Sequence, residues 1–177
     1  MIVADTNVLS EPLRSAPDPH VLAWLVDHGG EVALTSITAG ELLDGAQRLA
    51  PGRRRDQLIT AIDALVSASG DRLLAYDASA ARQYADVRAR REAAGHAVSV
   101  EDTMIAAICL AGGHALATRN TRDFADAGIV LHDPMGRLKT SQRRGTARPS
   151  PGADTVLLSR TTAIGLTVLT LGQPPTA

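Results

Sequence analysis

The chain has 177 residues, 45% of them hydrophobic, and a formal net charge of −1. That length supports one domain with a substantial core. Aromatics make up only 2%, so the core must be Leu, Val, Ile and Ala, and a ring platform for stacking single-stranded bases is disfavoured.

Cys109 is the single cysteine. One thiol excludes an intrachain disulfide and a cysteine zinc site, and fits a reducing, cytoplasmic setting. The first residues lack the charged and apolar regions of a signal peptide. No run approaches the roughly 18 apolar residues of a membrane span, so no membrane partner is expected. The near-neutral total hides an asymmetry. Residues 1–138 carry 13 basic and 18 acidic side chains, net −5, whereas residues 139–177 carry five basic and one acidic, net +4. An acidic body argues against a simple nucleic-acid-binding module. It is compatible with an enzyme whose acids hold metal ions.

Ile2, Val3 and Ala4 are a short apolar run with the composition of a buried strand. The run stops at Asp5, followed by the turn-forming Thr6 and Asn7. Asp5 is then either a site carboxylate at the C-terminal edge of a strand or the cap of the next helix. A short helix is expected over 7–13, broken by Ser15–Pro19. Asp18 caps a helix with Pro19 at its first position, and Val21, Leu22, Leu25 and Val26 share one of its faces. Val32–Thr35 reads as a second strand, followed by a helix from about Ala39 to Ala50. A further amphipathic helix carries Leu58, Ile59, Ile62, Leu65 and Val66. Its apolar face and that of the Val21–Val26 helix either pack inside the molecule or serve dimerisation or partner binding.

Arg72–Tyr76 is a third strand, and Asp77 caps a helix that Gly95 ends. Ser99 opens a helix, Val100–Ala111, that is apolar on almost every side and hence buried. His114–Thr118 and Gly128–His132 are the fourth and fifth strands, with a loop and short helix between them. Strands alternating with helices imply a parallel sheet with right-handed crossovers. From about Arg137 the composition turns to Ser, Thr, Arg, Gly and Pro. Residues 1–136 are therefore expected to form one domain and 137–177 a basic, flexible tail, in which Leu157–Leu171 has the apolar content for one strand.

Several polar groups lie near one edge of this sheet: Asp5 after the first strand, Glu41 in the helix after the second, and Asp102 in the first turn of the buried helix. Thr118, Asn120 and Asp123 come from the end of the fourth strand and the segment after it. Each has a bland reading as a helix cap, a dipole partner or a solvated charge. As a group they read differently. Two carboxylates about 4 Å apart repel by roughly 4 kcal/mol at an effective dielectric of 20, so such a cluster needs a cation. The candidate ligands are all oxygens, which favours Mg²⁺ or Mn²⁺ over zinc. Acid clusters holding these ions cut phosphodiesters.

Four segments closely resemble the PIN-domain ribonucleases: Ile2–Pro12 (IVADTNVLSEP), Thr35–Leu42 (TSITAGEL), Glu101–Ala107 (EDTMIAA) and Leu116–Phe124 (LATRNTRDF). Within that family the sequence looks most like VapC-type toxins, particularly the FitB-like branch. The resemblance runs to about residue 136. It implies a three-layer α/β/α sandwich around a central parallel sheet of about five strands. It also implies Mg²⁺- or Mn²⁺-dependent endonucleolytic cleavage of RNA, often structured RNA such as tRNA, and inhibition by a VapB-type antitoxin.

Carried over by position, Asp5, Glu41 and Asp102 match the first three family acids. Asn120 stands where the fourth acid is usual, and Asp123 lies about a turn further on. The implied roles are metal binding by Asp5 and Asp102, and metal or water activation by Glu41. Asn120 and Asp123 would position a water or a second ion. Thr6, Ser36 and Thr118 are expected to orient the carboxylates. Arg119 and Arg122, flanking the site loop, are the expected RNA contacts, and a homodimer is the expected oligomer. Arg88, Arg90 and Arg91 read as the solvated C-terminal end of a helix. Asn120 also leaves open a catalytically weak or dead PIN module that acts by binding RNA or a partner. A DNA-directed nuclease on a related fold is a further alternative.

Overall fold

A computed structural model describes residues 1–93, 95 and 99–136. The expectations for the tail at 137–177 lie outside the described residues. The elements are β1 (Ile2–Ala4), α1 (Thr6–Leu9), α2 (Pro19–His28), β2 (Val32–Thr35), α3 (Ser36–Gln47) and α4 (Arg53–Ser69). They continue with β3 (Leu73–Leu74), α5 (Ala78–Ala93), α6 (Val100–Gly112), β4 (Ala115–Ala117) and β5 (Leu131–His132).

The five strands pair in the order β3-β2-β1-β4-β5, and every pairing is parallel. Val3 is in register with Ala33 on one side and Leu116 on the other. Side chains alternate across the sheet. Ala4, Val32 and Leu34 pack with Val8, Val21, Leu25, Leu42, Ile62 and Leu65 from α1–α4. Val3, Ala33 and Leu116 pack on the opposite face with Val87, Ile105, Cys109 and Phe124 from α5, α6 and the segment after β4. The result is the expected α/β/α sandwich. Its order reverses at β1: the chain builds outward through β2 and β3, then crosses back to place β4 on β1's other side. The C-terminal ends of β1 and β4 therefore flank the switch-point crevice where open α/β sheets bind ligands.

Local differences from the sequence reading have identifiable causes. The helix expected over 7–13 is divided into α1 and a 3₁₀ turn, Glu11–Leu13. Pro12 has no N–H with which to continue an α-helix. α3 begins at Ser36 because Thr35 Oγ1 accepts the Thr38 N–H at 3.0 Å, a cap supplied by the last strand residue. β5 is confined to Leu131–His132. The apolar faces of α2 and α4 are largely core: Val21, Leu25, Ile62 and Leu65 are all buried, while Val26 stays exposed. No helix among the described residues is long and apolar enough to cross a membrane.

Phe124 is fully buried and lies in a 3₁₀ turn, Thr121–Phe124, just after β4. Its ring anchors the site loop to the sheet. Replacing it with Ala should cost about 3–5 kcal/mol of stability, as large aromatic truncations in cores do. Urea denaturation of Phe124→Ala against wild type measures this.

Candidate active site

Asp5 is where β1 ends and α1 begins. Its Oδ1 accepts the Thr6 backbone N–H at 2.7 Å, so it is the N-cap of α1. Its Oδ2 accepts from Asn7 Nδ2 at 2.5 Å and from Thr118 Oγ1 at 2.6 Å. The cap accounts for one oxygen, and the other is oriented from β4 across the switch point. Thr118 is fully buried, and its Oγ1 also accepts the Asn120 N–H at 3.0 Å and a bond from Asn7 Nδ2 at 3.2 Å. Asn7 closes the loop: its Oδ1 accepts the Arg119 backbone N–H at 3.0 Å. The sequence reading treated Asn7 only as a turn residue. The signal available was an amide two positions past a strand-end acid.

Glu41 lies in α3 and is reached from α1, with Thr6 Oγ1 donating to Glu41 Oε2 at 2.5 Å. Asp102 lies in the first turn of α6, where its backbone N–H is capped by Ser99 Oγ at 3.0 Å. Asn120 Nδ2 donates to Asp123 Oδ2, so these two side chains hold each other. Ser36 differs from expectation. Its Oγ accepts the Tyr76 N–H at 3.3 Å, tying the start of α3 to the segment after β3. Because α3 starts at Ser36, that hydroxyl sits at the first helical position and serves this backbone group.

Arg119 also differs. Its guanidinium donates from Nη2 to Glu11 Oε2 at 2.9 Å and from Nε to Met135 Sδ. Glu11 was absent from the sequence-based candidates although its side chain is only 3% exposed. Its Oε1 accepts the Asp18 N–H at 2.9 Å, and its Oε2 also pairs with Arg14 Nη1 at 3.1 Å. A lone Glu after Ser10 gives no periodic signal of burial. Arg122 is exposed.

The electrostatics bring the acids together. Burial pushes the Asp102 carboxyl up to about 6, and the charges of Asp5, Asp123 and Glu41 push the same way. Arg91 alone opposes them. Burial also raises Glu41, opposed by the Thr6 hydrogen bond and reinforced by the charges of Asp5 and Glu101. Arg91 was expected in solvent at the end of its helix. It is instead 2% exposed, and its Nε and Nη1 have no hydrogen-bond partner among the described residues.

The side chains of this region are carboxylates and hydroxyls, oxygen groups that would suit a hard divalent cation. Their mutual repulsion is the charge such an ion would neutralise. Among the described residues no three His, Cys, Asp or Glu form a ready-made metal cage.

A PIN-domain model matches residues 2–130, and the chain belongs to the PIN-domain family. The plasmid stability protein StbB of Pseudomonas syringae pv. tomato is 40% identical over 136 residues, which are 76% of this chain and 98% of that one. The VapC ribonuclease Y4jK of Sinorhizobium fredii is 37% identical over 136 residues, 76% and 97% of the two chains. The solved structure of FitAcB from Neisseria gonorrhoeae aligns with a TM-score of 0.72 at 34% identity, covering 76% of this chain and 98% of that one.

With Asp102 at about 6 rather than the usual 3.8, the folded state binds more protons here than the unfolded chain between those values. Stability without metal therefore falls as pH rises through that window. Asp102→Asn removes the penalty. In EDTA at pH 7.5 it should be more stable than wild type by about 1–2 kcal/mol after allowance for solvent screening. The advantage should vanish near pH 4, as urea melts across pH will read.

Proposed function

We propose that this protein is a VapC-type toxin: a metal-dependent endoribonuclease that cleaves RNA, with structured RNA such as tRNA the first candidate. The carrying observation is the hydrogen-bond network at the switch-point crevice: Asn7 and Thr118 hold Asp5, Thr6 joins it to Glu41 and Thr118 joins it to the Asn120–Asp123 pair, with Asp102 of α6 sharing their negative field.

Asp5 and Asp102 are the residues that would hold Mg²⁺ or Mn²⁺. The bound ion supplies a lowered pKa for an attacking water and neutralises charge developing on the phosphate oxygens. Asp5 is held in place by Thr6, Asn7 and Thr118. Glu41, aimed by Thr6, accepts a proton from the water, and its raised pKa brings it nearer the range of a useful general base. The Asn120–Asp123 pair, joined by its own hydrogen bond, would position a water or a second ion. Water attack leaves a 3′-hydroxyl and a 5′-phosphate. Arg122, exposed beside this pair, is the better phosphate contact, because the Arg119 guanidinium is already engaged by Glu11. In this reading a VapB-type antitoxin is the inhibitory partner, supported by the VapBC complexes among the similar solved structures, and a homodimer is the working form.

The test is cleavage of a tRNA pool and of DNA with Mg²⁺, Mn²⁺ or EDTA. RNA should be cut in either ion and spared in EDTA, and Asp5→Asn and Asp102→Asn should each lose at least about a thousandfold in rate while remaining folded. Cleavage persisting in EDTA sinks the metal mechanism. RNA binding without cleavage in either ion favours an inactive binding module, and faster cutting of DNA favours a DNA-directed nuclease.

A second measurement addresses the RNA contact. Arg122→Ala should weaken RNA binding and reduce the slope of log affinity against log salt by about one phosphate contact. An unchanged slope removes Arg122 from the interface.

A further inference from the structure

The buried Glu11 is not explained by the acid cluster. Its side chain is 3% exposed, and it gathers three donors: the Asp18 backbone N–H, Arg14 and Arg119. Arg14 and Asp18 belong to its own stretch of chain. Arg119 comes from the far side of the switch point, directly after Thr118 at the end of β4. The same residue's backbone N–H donates to Asn7 Oδ1, and Asn7 Nδ2 donates to Asp5 Oδ2. Glu11, Arg119, Asn7 and Asp5 therefore form a continuous chain of hydrogen bonds, from the 3₁₀ turn after α1 back to the first carboxylate of the site.

We infer that the Glu11–Arg119 ion pair is a clamp that fixes the Thr118–Asn120 loop against α1, and that Arg119 is a positioning residue for Asp5 rather than an RNA contact. A charge-assisted bond to a buried carboxylate is stronger and more directional than a neutral one. Removing Arg119 leaves Glu11 to the Asp18 N–H and the half-exposed Arg14, both from its own stretch of chain, and removing the Glu11 charge leaves the Arg119 guanidinium with Met135 Sδ alone among the bonds described, so either change unties the Thr118–Asn120 loop from α1. The Arg119 backbone then drifts from Asn7, and Asn7 no longer holds Asp5 Oδ2 in one orientation. Outer partners of this kind set activity through the groups they orient. Arg14 bonds the same Glu11 oxygen from within the same stretch of chain, three residues on, and its side chain is half exposed, so it is the internal control.

The kinetic consequence rests on the ribonuclease reading; the structural consequence does not. Arg119→Ala and Glu11→Gln should each lower kcat by about 10- to 100-fold. RNA affinity should stay within about twofold of wild type, with an unchanged salt slope when measured in an Asp102→Asn background. The double variant should be no worse than the worse single one. Arg14→Ala should keep wild-type kcat. Arg119→Lys, which retains the charge, should recover part of the loss.

Independently of any cleavage, ¹⁵N spectra of the metal-free protein should show the Asn7 side-chain amide and the Arg119 backbone amide shifted and exchanging faster in Glu11→Gln, and unmoved in Arg14→Ala. Unmoved Asn7 and Arg119 signals in Glu11→Gln overturn the clamp. So does an Arg119→Ala that weakens RNA binding and lowers the salt slope by about one, which makes Arg119 a phosphate contact. If wild-type protein cuts no RNA while the spectra change as expected, the ribonuclease reading falls and the clamp stands.

Discussion

Asp5 keeps a carboxylate at 6% exposure, in the crevice where the sheet order reverses. A charge there is tolerable because three donors from two sides of the crevice meet it: the Thr6 N–H, Asn7 Nδ2 and Thr118 Oγ1. Hydrogen bonds to a carboxylate are among the stronger ones, and these three tie β1, α1 and the end of β4 to one atom group. The rest of the site is arranged around that point. Thr6, next in the chain, carries the link on to Glu41 in α3. Thr118 carries it to Asn120, and Asn120 to Asp123. The parallel register of β1 with β4 makes this possible, since pairing Ala4 with Ala117 brings Asp5 and Thr118 out of the sheet side by side.

Much of this was legible in the sequence. The apolar runs at 2–4, 32–35 and 115–117 are short and bounded by Asp, Thr or Gly, so the strands and their C-terminal ends could be read from composition. The acids at those ends were readable for the same reason. Three features were hidden. The Thr35 cap looks like any strand residue and becomes visible only once α3 starts after it. Glu11 and Arg91 look like surface charges because burial of a single charged side chain is decided by neighbours far away in the chain. Arg14 and Arg119 lie 3 and 108 positions from Glu11, and only the second separation depends on the fold. Ser36 was hidden for a related reason: the helix starts three residues earlier than the expected Ala39, and at its first position the Ser36 hydroxyl accepts the Tyr76 backbone N–H.

Asn120 illustrates how a departure from a pattern can be compensated locally. An acid at this position would add a further negative charge to a cluster in which Asp102 is already held well above its usual range. Asn120 instead offers an amide that grips Asp123. The charge remains at the site edge, three residues along, on an exposed 3₁₀ turn anchored by the buried Phe124. An anchored turn can present a carboxylate with little play, even though the carboxylate itself faces solvent.

Arg91 completes the charge balance. A guanidinium cannot be neutralised by losing a proton, so burying it with two N–H groups unpartnered is costly unless a field of the opposite sign surrounds it. α5 supplies this cation to Asp102 on α6, the helix it packs against. Asp102 remains raised despite it, first because the carboxyl is desolvated by burial and then because Asp5, Asp123 and Glu41 outweigh one cation. The fold therefore holds two partial answers to the same repulsion. Arg91 is permanent and is delivered from α5, whereas a cation bound among the acids would be the other answer. The permanent charge lowers the cost of folding the acid cluster, and the remaining negative balance is what a bound cation would offset.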